Sequence, residues 1–236
     1  MAPLLHAWQS LIADPDLDRR FASEFVLHEL GVVITATFYG TEAEFRATGI
    51  PDRIPASASS AVISDWLGAV AHQAEDGALW LSDTRAPFTA KALAFRPQDA
   101  LSAGAIVDLM NYIDGANRGT LLWFLIFDLS GGAVNDVPLG ETAYPHRDKL
   151  MFAQAYGIGV PSVSQATQDF IKGIFDTIEK HVQGPLSTYA GYVDPTLVDA
   201  QQQYWGPNLA RLQQVKALWD PSDVFHNPQS VRPAGS

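Results

Sequence analysis

Residues 120–129 read TLLWFLIFDL. This is the most apolar run in the chain, short and rich in aromatics, and it suits a central β-strand. Ser130-Gly131-Gly132 ends it. Side chains alternate across a strand, so Phe124, Ile126 and Asp128 share one face. A carboxylate on that face must be hydrogen-bonded, paired or functional, because an unpaired buried charge is costly. Two readings of Asp128 stay open: a structural carboxylate capping the Gly131-Gly132 turn, or a chemical group.

Working outward, residues 21–28 alternate in the same way. Phe21, Ser23, Phe25 and Leu27 lie on one face, with Ala22, Glu24, Val26 and His28 on the other. Leu30-Gly31 makes a turn, and residues 32–39 are a second β-rich run, so the pair reads as a hairpin. Thr41 and Glu44 have capping-box spacing and open a helix that ends at Gly49-Ile50-Pro51. A short helix at 4–12 precedes the hairpin. Another helix carries Trp66, Leu67, Val70 and Ala71. Residues 83–100 read as irregular. Residues 103–112 read as a helix with Ile106, Leu109 and Met110 inward. Residues 148–156 read as a strand. Residues 165–182 form a long helix whose buried stripe is Phe170, Ile171, Ile174, Phe175, Ile178 and Val182. Helices between paired strands predict an α+β fold: an antiparallel sheet covered by helices on one face.

The C-terminal stretch, residues 188–233, contains YWGPNLARLQQVKALWDP. Leu209, Leu212, Val215 and Leu218 recur every three residues, so one stripe of this helix is expected to face a core. Asp220-Pro221 stops the helix, because proline restricts the residue before it and has no amide to donate. Val224-Phe225 and Asn227-Pro228-Gln229-Ser230 follow.

Bulk properties narrow the chemistry. The chain has 236 residues, 47% hydrophobic and 17% charged, enough to bury a sizeable core. Its net charge of −11 argues against nucleic acid and suits a small neutral or cationic ligand. There are no cysteines, which excludes thiolate metal sites, disulfides and a cysteine nucleophile. The six histidines show no metal-ligand spacing. No segment approaches the roughly 18 apolar residues of a membrane-spanning helix. The first residues lack a signal-peptide pattern and no Asn-x-Ser/Thr sequon occurs, so a cytoplasmic location is expected. Dinucleotide and phosphate loops are absent as motifs. His146-Arg147-Asp148 reads as a structural ionic turn.

The C-terminal pattern resembles the terminal segment of the berberine bridge enzyme branch of FAD-linked oxidases. Phe38-Tyr39-Gly40-Thr41, Asp128-x-x-Gly131-Gly132 and Ala143-Tyr144-x-His146-Arg147-Asp148 extend the resemblance over nearly the whole chain. The subgroup it is most similar to holds the glucooligosaccharide and chitooligosaccharide oxidases. The resemblance implies a substrate-binding α+β domain at 1–186 and a berberine-like helical segment at 187–236. It also implies a large flavin-binding half, for which 236 residues leave no room. It implies that Tyr192, in Tyr189-Ala-Gly-Tyr192-Val-Asp194, removes a substrate hydroxyl proton with help from Asp128. Tyr189 matches a residue near the flavin, Glu24 a substrate-contacting acid, Gln154 a pocket position, and Phe88 the pocket edge.

Beside the resemblance, the residues allow plainer roles: Glu24 as an exposed strand glutamate, Tyr192 as a tyrosine packed in a loop. A phenol needs an adjacent charge or base to act near neutrality. The sequence departs from the carbohydrate oxidases at Ile126, where they place an amide, and at Phe124, where they place a tryptophan. Losing a polar partner weakens a hydrogen-bonding site, so the pocket is expected to take an apolar molecule. Three functions are compatible: a flavin-independent cyclase or isomerase, with no cofactor or metal and a homodimer covering the exposed face; half of an oxidase completed by a partner chain that supplies FAD; or a ligand-binding remnant.

Overall fold

The computed structural model describes residues 1–55, 59–73 and 85–235. Phe21–His28 (β1) and Gly31–Phe38 (β2) form the expected hairpin, with Phe21 opposite Phe38 and His28 opposite Gly31. Gly31 has φ +133°, a geometry that side-chain-bearing residues rarely adopt. Trp123–Leu129 (β4) pairs antiparallel with β1, placing Glu24 opposite Asp128 and Val26 opposite Ile126. Met151–Ile158 (β5) pairs with β4, placing Gln154 opposite Ile126 and Phe152 opposite Asp128.

The fifth strand corrects the sequence reading. Phe88–Phe95 (β3) pairs with β5 along its whole length, from Phe88 opposite Ile158 to Phe95 opposite Met151. This stretch, FTAKALAF, reads as irregular because Ala and Lys are poor strand formers and its outer positions after Phe88 carry only methyl groups. Positions 83 and 84 of that expected irregular stretch lie outside the described residues. The sheet is antiparallel throughout, in the order β2-β1-β4-β5-β3, with β3 at one edge.

One face of the sheet holds the core. Alternation delivers Phe25, Leu27, Leu93, Phe95, Trp123, Leu125, Phe127 and Ala153 to it, all nearly or fully buried. Ala2–Ile12 (α1), Ala103–Gly115 (α4) and Gln165–Glu179 (α6) cover this face. Trp8 of α1 meets Phe25 at 5.8 Å between ring centroids, and Phe25 meets Phe127 at 6.3 Å. Each such buried ring contributes roughly 2–3 kcal/mol. The inward stripes expected for α4 and α6 are observed, except that Val182 is half-buried and lies beyond the end of α6. Ser102 and Ser164 cap these two helices. Glu42–Ala47 (α2) carries the expected capping box, with Thr41 Oγ1 accepting from Glu44 N–H at 3.3 Å. Trp66–Gln73 (α3) is largely exposed, and Ala133–Asp136 (α5) is a single turn after β4.

The C-terminal helix departs from expectation. It is broken into Ala200–Trp205 (α7) and Leu209–Trp219 (α8) by Gly206-Pro207-Asn208. No residue of α8 is buried; Leu218 is 74% exposed and Trp219 81%. The stripe of Leu209, Leu212, Val215 and Leu218 therefore does not face a core. The helix is held by polar contacts around it instead. Asn208 Nδ2 donates to the carbonyls of Leu139 and Thr142, and Lys216 pairs with Asp220 and Asp223. Among the described residues no helix is long and apolar enough to cross a membrane.

Candidate active site

The face of the sheet turned away from α1, α4 and α6 carries Glu24, Phe124, Ile126, Asp128, Phe152, Gln154 and Tyr156, all by strand parity. On β3 the same face carries Phe88, Ala90, Ala92 and Ala94. These alanines keep the edge strand low. The Ser187–Asp194 segment lies over this edge, Ser187 accepting from the Ala94 amide at 2.8 Å. Tyr189 and Tyr192 then fold across the alanines toward β5. A turn with Tyr192 N–H donating to Tyr189 C=O at 2.9 Å sets their spacing. Gly191 is required in that turn, since a Cβ there would sit 2.4 Å from the Tyr189 ring.

Five rings close a circuit around this corner. Tyr192 meets Phe152 at 6.1 Å, Phe152 meets His146 at 5.7 Å, and His146 meets Tyr144 at 5.1 Å. Tyr144 meets Tyr189 at 5.8 Å, and Tyr189 returns to Tyr192 at 5.2 Å. Every contact is edge-to-face, the favourable arrangement for ring quadrupoles, worth about 0.5–1.5 kcal/mol each. The circuit fixes the tyrosine rings of a segment that is itself neither helix nor strand.

The polar centre is Asp128. Gln154 Nε2 donates to its carboxylate, and Gln154 Oε1 accepts from the Tyr156 hydroxyl at 2.9 Å. The Tyr192 phenol lies within electrostatic reach of Asp128 and Tyr156. Burial, with a smaller contribution from the Glu24 carboxylate, pushes the Asp128 carboxyl up to about 6. Burial and the Asp128 charge push Tyr192 up to about 12, and the same two causes raise Tyr156. At neutral pH the resting pair is thus an Asp128 carboxylate facing two neutral phenols. A phenol held this way surrenders its proton only while taking another, and Asp128 titrates near enough to 7 to accept one. His146 is buried and neutral, its pKa lowered to about 4, mainly by burial and then by Lys149. It is not part of an ionic turn: Asp148 pairs with Lys149, while Arg147 lies over the Tyr144 ring and donates to Val134 C=O.

The geometry brings Asp128, Gln154 and Tyr192 together. Glu24 stands beside Asp128 and is exposed; Ile126 and Phe124 continue the same strand face, half-buried. Tyr189 lies at the rim, 39% exposed. Phe88 stands apart at the far end of β3, its ring 6.1 Å from Tyr156 and 62% exposed. Asp128 is not the cap of the Gly131-Gly132 turn; the Asn135 side chain closes that region through Lys149 C=O. Sequence reasoning missed Tyr144, His146, Phe152 and Tyr156. Parity along β5 places Phe152 and Tyr156 with Gln154 and was available as a signal; nothing local marks Tyr144 or His146 as neighbours of Tyr189.

The chain is similar to known proteins over nearly its whole length. Residues 188–232 match the family described as berberine and berberine like. The chain is 30% identical to the FAD-linked oxidoreductase sorD of Penicillium rubens, over 98% of this chain and 50% of that protein. It is 31% identical to the chitooligosaccharide oxidase of Gibberella zeae, over 86% of this chain and 44% of that one. Among solved structures, a chitooligosaccharide oxidase superposes with a TM-score of 0.82 at 28% identity, covering 98% of this chain and 52% of the other. The chain spans about half the length of the curated relatives it matches. It is therefore homologous, over nearly its whole length, to berberine bridge enzyme-like FAD-linked oxidases, and it has their substrate-domain fold.

Proposed function

We propose that this chain is the substrate-binding, proton-transferring part of a small-molecule enzyme acting on an apolar metabolite that carries a hydroxyl or an enolisable carbonyl. One observation carries the reading: the Gln154 amide joins Asp128 at its Nε2 end to the Tyr156 hydroxyl at its Oε1 end, and Tyr192 packs on Phe152 beside them, close enough for the Asp128 charge to act on its phenol. The substrate hydroxyl gives its proton to Tyr192 as the phenol proton passes toward Asp128. Gln154 holds the two groups in place, and Tyr156 supplies a second neutral phenol beside them. The surrounding floor of Val26, Ile126, Phe124 and the β3 alanines offers apolar contact rather than hydrogen bonds, which favours an apolar substrate over a sugar.

The described residues of the site do not fit a dinucleotide. The charged groups at its centre are Glu24 and Asp128, both carboxylates, which repel a pyrophosphate. On the reading that these groups act by themselves, the reaction is flavin-independent, a cyclisation or isomerisation driven by positioning and acid/base chemistry. A second reading is favoured by the uncovered apolar stripe of α8 and by the FAD-linked relatives: a partner body holds the flavin, and this chain presents substrate to it.

Absorption and turnover separate them. Purified protein without a band near ~450 nm that converts an apolar substrate supports the first reading. A band that appears only after adding a partner chain and FAD supports the second. Under either reading Tyr192→Phe lowers the rate by about 10²–10⁴-fold with folding intact. A folded Tyr192→Phe protein with unchanged turnover takes Tyr192 out of the chemistry, and a wild type that binds ligand but turns none over leaves only a ligand-binding role.

A further inference from the structure

We propose that Lys91 and Asp194 form a positioning clamp that holds Tyr192 over Gln154 and Asp128; this rests on the reading of Tyr192 as the proton-transferring group. Asp194 follows Tyr192 by two residues and is 1% exposed, yet all its polar atoms are engaged. Lys91 Nζ, from the edge strand β3, donates to Asp194 Oδ2 at 2.5 Å and to Thr196 Oγ1 at 3.0 Å. Asp194 Oδ1 accepts from the Thr196 amide at 2.8 Å and its hydroxyl at 2.6 Å. The Asp194 amide donates to the Tyr204 hydroxyl at 3.1 Å, and its carbonyl accepts from Gln229 Nε2 at 2.7 Å. Tyr204 closes the network by donating to Gln229 Oε1 at 3.1 Å.

Three separate parts of the chain, β3, α7 and the C-terminal tail, thus meet on one residue. The Tyr189–Tyr192 turn is fastened to β3 at both ends. The Ala94 amide holds Ser187 at one end, and Lys91 holds Asp194 at the other. Between these points the turn rests on edge-to-face ring contacts with Phe152 and Tyr144, which fix tilt but slide readily. Lys91 and Asp194 touch neither the Asp128 carboxylate nor Gln154 in this network. They act on the chemistry only through where they put the Tyr192 phenol.

The test needs no substrate. In the full chain with ¹³Cζ-labelled tyrosine, the Tyr192 resonance, assigned with Tyr192→Phe, is followed by NMR from pH 4.5 to 8. In the wild type it is expected to inflect near pH 6 as the neighbouring Asp128 ionises. In Lys91→Met the inflection should shrink several-fold or vanish while the Asp128 carboxyl carbon still titrates; Lys91→Arg should restore it. Lys172→Met, which breaks the exposed pair with Asp176 on α6, should leave it unchanged. A folded Lys91→Met protein whose Tyr192 signal still follows Asp128 overturns the clamp. Should Lys91→Met fail to fold, Asp194→Asn is read in the same way with the same two outcomes. Failure of the acid/base reading is seen separately, as unchanged turnover in Tyr192→Phe.

Discussion

Asp128 is held where its charge is disfavoured, and that has a stability consequence of definite sign. Its carboxyl titrates at about 6 in the folded chain, against 3.8 when free. A carboxyl raised in this way contributes fully below pH 4, and the contribution is lost as pH rises through 6. At pH 7.5 the folded protein therefore carries a penalty of about 1–2 kcal/mol, reduced from the full shift because the site is partly wetted. Asp128→Asn keeps an oxygen to accept from Gln154 and removes the charge. Its melting temperature should exceed the wild type's by a few degrees at pH 7.5, with the gap closing by pH 4. Calorimetry at both values decides; an equal or lower melting temperature at pH 7.5 would show that Asp128 is a structural anchor after all. The sequence made Asp128 visible because a lone acid ends an apolar strand. Its partners were less visible: Tyr192 lies 64 positions away, with only the family resemblance to join them, and His146 carries no local sign that it supports the ring circuit.

Among the elements, the strands with large alternating side chains were readable and the one without them was not. On β1 and β4 the core face is written in Phe, Leu and Trp, and on β5 the large alternating side chains, Phe152 and Tyr156, stand on the site face. On β3 the outer face is Phe88, Ala90, Ala92, Ala94, and the pattern dissolves. That smallness is what the site needs, because the tyrosine turn crosses β3 to reach Phe152 and Gln154. Ala92, opposite Gln154 and 7% exposed, is the position where bulk would intrude. Ala92→Leu should lower stability by only about 1–3 kcal/mol. It should also push Tyr192 off Gln154, so that the phenol's pKa, about 12 in the wild type, falls toward the ordinary value near 10. Tyrosine-resolved NMR titration reads this directly. A Tyr192 titration unmoved in the folded variant would mean that the turn does not depend on the low profile of β3. The opposite error occurred at α8: spacing marked an apolar stripe, but periodicity says only that a face is apolar, not what covers it.

At the scale of the whole molecule the exposed end of α8 and the residues after it become a question of association. Leu218, Trp219, Val224 and Phe225 are 74, 81, 69 and 82% exposed and lie within eight positions of each other. Exposed apolar side chains of this size, with Lys216, Asp220 and Asp223 beside them, suit a surface for association and motivate a test of self-association. The expected occupant in a pure preparation is a second copy, giving a mass near twice 25.6 kDa. Charge opposes this, since each copy carries −11. The repulsion is screened over about 8 Å at physiological ionic strength and over about 3 Å at 1 M salt, whereas apolar contact is not weakened by salt. Sedimentation should therefore show the dimer fraction rising as salt is added. The double substitution Leu218→Glu, Trp219→Glu should return the protein to a single chain at every salt concentration. A wild-type chain that sediments at 25.6 kDa throughout, at tens of micromolar, would rule out self-association through this face.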